Sequence, residues 1–343
     1  MSPSGTITRV AGTSSAGNTG DDGPATEAQL SQPWGIAVTA DGGFLVSDLI
    51  NHVVRRVSAG GTITRVAGTG TAGDTGDDGP ATDAQLNGPA GIAVTADGGF
   101  LIANVASSVV RKVSADGTIA RVAGTGTSGN SGDDGPATDA ELSEPAGLAV
   151  TADGGFLITD PGAHVVRKVS AGGTITRVAG TGTSGDTGDD GPATDAQLGA
   201  PIGIAVTRDG GFLVADAGTQ VVRKVSAAGT ITRVAGTGTT GNTGDDGPAT
   251  DAELSTPGGI AVTADGGFIF ADFNNNEVRQ VSAAGTITRV SGTGTAGNSG
   301  DDGPATDAEL TNPVWPALTS DGSLLITDFG NHEVRKVALS GGN

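Results

Sequence analysis

The sequence contains no cysteine, no tyrosine and a single methionine, and no apolar run approaches the ~18 residues needed to span a membrane. Without cysteine, disulfides and thiol chemistry are excluded, and the compartment, secreted or cytoplasmic, stays open. The start, Met1-Ser-Pro-Ser-Gly5, has neither a basic n-region nor an apolar h-region. We therefore predict no signal peptide and no membrane insertion.

Basic side chains are scarce as well, with 18 Lys and Arg against 38 Asp and Glu and a formal charge of −20. Nucleic-acid binding needs clustered basic residues on the phosphates, so this class of partner is excluded. The charge favours solubility and cationic partners, and we expect a monomer.

Glycine, in contrast, is abundant, with 61 residues in a chain of 343. The hexapeptide Gly61-Thr-Ile-Thr-Arg-Val66 recurs with small changes at Gly5, Gly117, Gly173, Gly229 and Gly285, always 56 residues apart. No insertion or deletion disturbs this spacing. The chain is therefore predicted to be one repeat domain, residues 1–343.

The second copy predicts four short strands. Gly61–Val66 alternates in polarity, and after a long loop with one or two helical turns come Gly91–Thr95, Phe100–Ala103 and Ser108–Val113. Six such antiparallel sheets bury their faces only when stacked around an axis, which predicts an all-β, six-bladed β-propeller. A linear solenoid would need polar caps, which neither end of this chain provides.

The two ends of the chain predict how the ring closes. The sequence begins with an outer strand and ends just after the third strand of the last copy, Glu333–Val337. We expect Thr6–Val10 to supply the fourth strand of the last blade.

Several of the recurring motifs resemble those of a known family. Ile92-Ala-Val-Thr-Ala-Asp-Gly-Gly-Phe-Leu-Ile102, Asp328-Phe-Gly-Asn-His332 and Val110-Arg-Lys-Val113 look like NHL repeats, and the longer form with Gly76-Asp-Asp-Gly-Pro-Ala-Thr82 is similar to bacterial and teneurin-type NHL propellers. The resemblance implies the fold but no single function, because NHL propellers include protein-binding, RNA-binding and enzymatic members. The near identity of the copies is typical of recent amplification or of engineered repeats.

Three acidic rings recur from copy to copy, the second with Asn104 in place of one Asp. Asp21-Asp22, with Asn18 three residues earlier, offers oxygen ligands for calcium, but the pattern lacks the third-position acid and the bidentate Glu of an EF-hand loop. Turn formation and helix capping are the preferred interpretation. Asp48 and its equivalents are expected to tie down the turn after the second strand, and Asp41 and its equivalents to form the hairpin turn. No metal and no cofactor is predicted; calcium remains the alternative.

The copies differ mainly at two places, the turn after the second strand (49–51 and equivalents) and the residue after the repeat proline (34 and equivalents). In a propeller both places lie on one face, which we call the variable face, around the mouth of the axial channel. The differences gather where blades 5, 6 and 1 meet. Candidate ligand-binding residues there are Trp34, Trp315, Phe273, Phe329, Asn51, Asn275 and Asn331.

Two purely structural explanations compete with a binding site. The tryptophans suit a packed plug at the seam, and the histidines match the ordinary Asn-His of an NHL repeat. For catalysis, the candidates are Glu277 and Glu333, which replace the Val of the other four copies, together with His52 and His332. No nucleophile elbow, zinc-protease motif, P-loop or dinucleotide fingerprint occurs.

The sequence thus favours a binding module with a small-molecule, glycan, peptide or protein site at the channel mouth. A lyase or hydrolase using the same mouth is the first alternative. A ligand-free scaffold, natural or engineered, is the second.

Overall fold

The computed structural model describes residues 5–339; residues 1–4 and 340–343 of the predicted domain, including most of the segment inspected for a signal peptide, lie outside the described residues. Six antiparallel sheets follow one another along the chain, each built of four strands with the first innermost, and the second sheet has a short fifth strand at its outer edge. The predicted six-bladed propeller is confirmed, with every helix in the described range a single 3-10 turn.

The strands of each blade run from the axis outwards. The inner strands are Pro33–Val38, Pro89–Val94, Leu148–Val150, Pro201–Val206, Pro257–Val262 and Pro313–Leu318. The second strands are Phe44–Asp48, Phe100–Asn104, Phe156–Asp160, Phe212–Asp216, Phe268–Asp272 and Leu324–Asp328. The third strands are Val53–Val57, Val109–Val113, Val165–Val169, Val221–Val225, Glu277–Val281 and Glu333–Val337. The outer strands of blades 1 to 6 are Ile63–Ala67, Thr118–Ala123, Ile175–Ala179, Ile231–Ala235, Ile287–Ser291 and Ile7–Ala11.

The first strand of the chain closes the ring, as predicted. Ile7 pairs with Val337 and Arg9 with Arg335 in an antiparallel ladder, so blade 6 takes three strands from the end of the chain and one from its start. Ile7 and Ala11 are fully buried there. Closure therefore adds both a hydrogen-bonded ladder and apolar contacts.

The long loop before each inner strand fills the space between neighbouring blades. In the second copy, Gly79–Pro80 adds a short strand to the outer edge of blade 2, followed by the 3-10 turn Ala81–Asp83. Ala81, Ala84 and Leu86 are buried against side chains of blades 1 and 2. The equivalent turns are Ala25–Glu27, Ala137–Asp139, Ala193–Asp195, Ala249–Asp251 and Ala305–Asp307. Each loop is thus an apolar wedge rather than a flexible linker.

The face of the ring opposite the variable face carries the tight turns, which are Thr39–Gly43 and Ser58–Gly61 in blade 1 and their equivalents in the other blades. We call it the constant face, because these turns hardly change between copies. The hairpin prediction holds there, since Gly98 has φ +84°, a conformation that glycine adopts without a Cβ penalty. Further 3-10 turns lie on the variable face, at Val105–Ser107, Pro161–Ala163, Phe273–Asn275 and Phe329–Asn331.

Candidate functional site

Three aromatic side chains meet on the variable face where blades 5, 6 and 1 adjoin. The Trp34 ring stands edge-on to Phe329, with centroids 5.6 Å apart, and Phe329 lies 6.0 Å from Phe273. All three are partly exposed. We call this row the aromatic ridge. The ridge forms there because Trp34 is the second residue of the inner strand of blade 1, while each Phe is the first residue of the turn after a second strand.

Trp315 is in the core beneath the ridge rather than in it. Its side chain is 5% exposed and lies against Gly259 of blade 5, where an added Cβ would come within 2.4 Å of the indole. Ile202, from blade 4 on the far side of the axis, packs against the same cluster as Trp315 and Trp34. The cluster therefore crosses the axis and closes the channel at the variable face, the arrangement that the plug explanation anticipates.

The three asparagine candidates are held inside the structure. The Asn275 amide donates to the Asp272 carboxylate at 2.9 Å and to the Gly241 carbonyl at 2.7 Å. Asn51 and Asn331 make the same pair of bonds in blades 1 and 6. Both amide hydrogens are used in each case, so these side chains fix the loop to the turn.

Sequence reasoning missed a ring of fully buried arginines in the third strands. Arg55 lies 3.2 Å from the Asp48 carboxylate and 3.0 Å from that of Asp21, and it also donates to the Gln29 carbonyl. The other members are Arg111, Arg167, Arg223, Arg279 and Arg335, all with 0% exposure. The sequence does contain a feature that could have predicted this ring: Arg recurs in every copy of the Val-Arg-Lys-Val motif, and an Asp recurs nearby.

This ring corrects the roles expected for two acidic rings. Asp21 pairs with Arg55 instead of capping a helix, and the helix N-cap, Pro24, has no side-chain hydrogen bond. Asp48 does contact its turn through Asn51, but it also accepts a hydrogen bond from the Ser31 backbone in the preceding loop, at 2.7 Å. Burial raises the pKa of Asp48 to about 7, and the same cause raises the pKa of Asp160 to about 7.

Glu277 and Glu333 are buried, and each meets the arginine of its own outer strand. Glu277 lies 3.3 Å from Arg289, and Glu333 lies 3.1 Å from Arg9. Burial raises the pKa of Glu277, and the nearby Arg289 opposes that rise. The two acids therefore lie in separate blades towards the rim of the ring, and the structure does not bring them together at the channel mouth.

Other copies supply an acid to the same arginine from a different position. In blade 2, Asp74 lies 2.7 Å from Arg121, and in blade 4 Asp186 lies 2.7 Å from Arg233. Blades 5 and 6 have Asn at that loop position and Glu at the start of the third strand instead. In blades 5 and 6 the glutamate thus takes the place of the loop acid, whereas blades 1 and 3 have neither acid beside Arg65 and Arg177.

The histidines connect neighbouring blades. His332 Nδ1 accepts a hydrogen bond from the Gln32 backbone at 3.1 Å, beside the ridge, and His52 accepts one from Gly88 at 3.3 Å. In blade 4, the side chain of Gln220 accepts the equivalent hydrogen bond, from the backbone of Thr256 next to blade 5. Burial lowers the pKa of both His52 and His332, which keeps the rings neutral and able to accept.

Metal binding finds no support in these positions. Among residues 5–339, no group of three or more His, Asp or Glu side chains is placed to hold a metal ion. Asp21, part of the calcium alternative, is paired with a buried guanidinium. Nothing else in the site indicates a cofactor.

No family model matches the chain. Teneurin-4 of Mus musculus is 28% identical over 236 residues, covering 60% of this chain but 8% of the teneurin. Teneurin-1 of Mus musculus is 26% identical over 254 residues, covering 63% of this chain and 9% of the teneurin. The match thus spans less than a tenth of these relatives.

Solved structures agree on the fold. A protein of unknown function from Bacteroides thetaiotaomicron superposes with TM-score 0.73 at 18% identity, covering 98% of this chain and 76% of that one. An auxiliary nutrient binding protein from Bacteroides ovatus gives 0.70 at 14% identity, covering 98% and 77%. A streptogramin B lyase gives 0.55 at 16% identity, covering 92% and 95%.

Together, the six blades and the similarity to teneurins support a six-bladed NHL-type propeller, and that prediction is confirmed. Its structural neighbours include binding proteins and enzymes, so the shared fold alone does not choose between them. Within the described range, no helix has the length and apolar character needed to cross a membrane.

Proposed function

We propose that the protein is a binding module whose aromatic ridge contacts a peptide or protein partner on the variable face. The observation that carries this proposal is the row of Trp34, Phe329 and Phe273, partly exposed and joined by centroid distances of 5.6 and 6.0 Å. Aromatic side chains of this kind anchor protein interfaces, since they offer a large contact area at low entropic cost.

The shape of the ridge favours a partner that covers a surface. The channel beneath it is closed by Trp315 and Ile202, so the ridge is not the wall of a deep pocket. Ile50, 52% exposed on the neighbouring turn of blade 1, extends the apolar surface. Small-molecule sites are generally concave, so a peptide, protein or glycan surface suits this ridge better.

Catalysis is less well supported than binding. Glu277 and Glu333 are each paired with an arginine, and His332 and His52 already accept backbone hydrogen bonds. These contacts give every catalytic candidate a structural role. A ligand-free scaffold remains the competing explanation, and the ridge variants below separate it from a binding module.

The test uses substitutions that the fold already contains. Trp34→Ala reproduces Ala90 of blade 2, and Phe273→Ala and Phe329→Ala reproduce Ala217 of blade 4. Labelled protein is applied to a peptide array of graded Lys and Arg content and to a glycan array. We expect binding to basic, aromatic-containing peptides, reduced at least tenfold by each ridge variant.

Ala264→Arg on the constant face is the control, since Arg208 occupies the equivalent position in blade 4. It should bind as the unmodified protein does. Equal binding by all ridge variants, or no binding on either array, would contradict the proposal; selective glycan binding lost with the ridge would keep the site but change the partner.

A further inference from the structure

A cavity lies on the constant face, at the end of the axis opposite the aromatic ridge. This cavity of about 1260 Å³ is lined by the ends of the inner strands and the turns that follow them, including Val38, Val94 and Val150. It continues outwards between blades 2 and 3, past Phe156 and Lys112, as far as Arg121 and Val122 of the outer strand of blade 2. We call it the axial well.

Along the axis, the well opens on the constant face only. The cluster of Trp34, Trp315 and Ile202 closes the axis at the variable face. A molecule that enters from the constant face therefore meets a closed end instead of passing through. Small-molecule sites are typically concave and closed on one side, and the well is somewhat larger than their usual range of about 300–1,000 Å³.

The wall of the well is apolar, and its polar rim carries paired charges. Val38, Val94, Val150 and Val206 remain partly exposed at the ends of the inner strands. Towards the rim, the Thr39 hydroxyl donates to Asp41 at 2.6 Å, which leaves its oxygen lone pairs as acceptors. Basic side chains at the rim are matched to turn aspartates, as Lys168 is to Asp153 at 2.6 Å.

The constant face is almost neutral in a strongly acidic protein. Its turns and the third-strand side chains facing them hold seven acidic and six basic residues, Asp41, Asp97, Asp116, Asp153, Asp209, Asp265 and Asp321 against Arg56, Lys112, Lys168, Arg208, Lys224 and Lys336. This net −1 leaves −19 of the formal −20 to the rest of the chain. The charges immediately around the well therefore favour neither sign of charge in a ligand.

Arg208 lies between the turns of blades 4 and 5, where the axial well has no outward groove. Its guanidinium donates to the Ala264 carbonyl and so bridges the turns of blades 4 and 5. The space between those blades is a separate cavity of about 510 Å³, lined by Arg208 and Phe268. Blade 2 has Ala96 at the equivalent position, and there the groove towards blade 3 joins the axial well.

We propose that the axial well binds a neutral, largely apolar small molecule that carries a hydrogen-bond donor. The apolar part lies against the valine ends and extends towards blade 3, while the donor meets the threonine oxygens at the rim. This site is separate from the aromatic ridge and does not depend on it, because the closed axis lies between them.

The experiment is a fluorescence titration with N-phenyl-1-naphthylamine, a neutral aromatic amine with one N–H donor. We expect saturable binding at one site with a blue-shifted emission. Ala96→Arg copies Arg208 into blade 2, should bridge to blade 3, and should weaken probe binding at least tenfold. Val150→Phe fills the well directly and provides a second variant if the first does not fold.

Two controls make the outcome specific. Ala264→Arg places the same side chain outside the lining of the well, and Phe273→Ala alters the aromatic ridge on the opposite face. Both should bind the probe as the unmodified protein does. Absence of saturable binding by the folded protein, or unchanged binding by both well variants, would overturn the proposal.

Self-association supplies a further decisive outcome. If the protein dimerises and the well variants abolish dimerisation while the probe never binds, a second copy covers the well and the small-molecule proposal is wrong. Loss of probe binding in Phe273→Ala alone would place the probe on the ridge, and that too would overturn it.

Discussion

The buried Arg–Asp pairs show how one residue position tolerates two chemistries. In blade 3, Asp160 accepts a hydrogen bond from the Ser143 backbone at 2.6 Å and lies 3.8 Å from Arg167. In blade 2 the equivalent residue is Asn104, equally buried, and Arg111 draws its charge partners from Asp74 and Asp77 of the loop. The fold therefore accepts a neutral amide where most blades have an acid.

Asp160→Asn tests the electrostatic cost of that acid. Burial raises the pKa of Asp160 from an ordinary 3.8 to about 7, so its folded form holds a proton more tightly than the unfolded chain does. The stability it contributes is complete below about pH 4 and is lost as the pH rises to about 7. Relative to the unmodified protein, Asp160→Asn should gain on the order of 1–3 kcal/mol in unfolding free energy between pH 4.5 and 8.

Urea unfolding at three pH values measures this change. The reciprocal variant, Asn104→Asp, introduces the acid into blade 2 and should lose stability over the same pH interval. Parallel pH profiles for all three proteins would mean that Asp160 does not titrate in this range.

Glu277→Val tests whether the glutamate is more than a charge partner. Val occupies this position in four copies, and the Arg289 side chain is 37% exposed, so it can be solvated when its partner is removed. We expect a change in unfolding free energy of less than about 1 kcal/mol.

Arg279→Leu in the same blade is the contrasting variant. It leaves Asp272 buried without its guanidinium, and we expect a cost of about 3–5 kcal/mol. A large loss for Glu277→Val, comparable with that of Arg279→Leu, would contradict the assigned role.

For individual residues, the sequence predicted some features of the site and missed others. Comparison of the copies identified Trp34, Phe273 and Phe329 as exceptional, and the structure brings them together. It did not reveal that Asn275 faces inwards or that Trp315 is buried, because local sequence does not say which neighbour a side chain meets across the ring. The arginine ring was missed because a single buried Arg in a strand is indistinguishable from an exposed one by pattern alone.

Strands were easier to predict than loops. Alternating polarity and Asp-Gly turns located all four strands of a blade, since both are properties of neighbouring residues. The long loop was only partly understood: its helical turn is three residues long, and Ala81, Ala84 and Leu86 pack between two blades. That packing depends on a neighbouring sheet, which the sequence of one repeat does not contain.

The closing strand gives a prediction at the scale of an element. Deleting residues 1–11 removes Ile7 and Ala11 from the core and exposes the edge of Glu333–Val337. We expect the melting temperature to fall by about 10 °C or more, on the basis of several kcal/mol lost. Thermal unfolding followed by circular dichroism measures it.

A circular permutant is the matched control for this deletion. In it, residues 5–11 follow residue 339 through a short glycine linker, so blade 6 is continuous in sequence. It should melt close to the unmodified protein, because the ladder is restored. A permutant as unstable as the deletion, or a deletion without effect, would show that the strand does not close the ring.

The charge of the whole molecule is divided between its faces, with the constant face near neutral and the loops of the other face and rim carrying the excess. Raising the NaCl concentration from 10 to 200 mM should increase the melting temperature by a few degrees, because it screens the repulsion among the exposed acids.

Replacing one exposed loop acid per copy by Asn should remove most of that salt response. The positions are Asp22, Asp78, Asp134, Asp190, Asp246 and Asp302, whose positive φ suits Asn. A salt response that persists in this variant would assign the effect to the bulk solvent rather than to these loops.

The axial cluster has a consequence for the number of blades. The repeat register is cyclic, so duplication of any 56 consecutive residues would add a complete blade and leave the closing strand unaffected. A seventh blade would widen the axis and carry Ile202 away from the indoles of Trp34 and Trp315. The ring would then have an open channel and an unfilled centre, so the packing at the axis limits this chain to six blades.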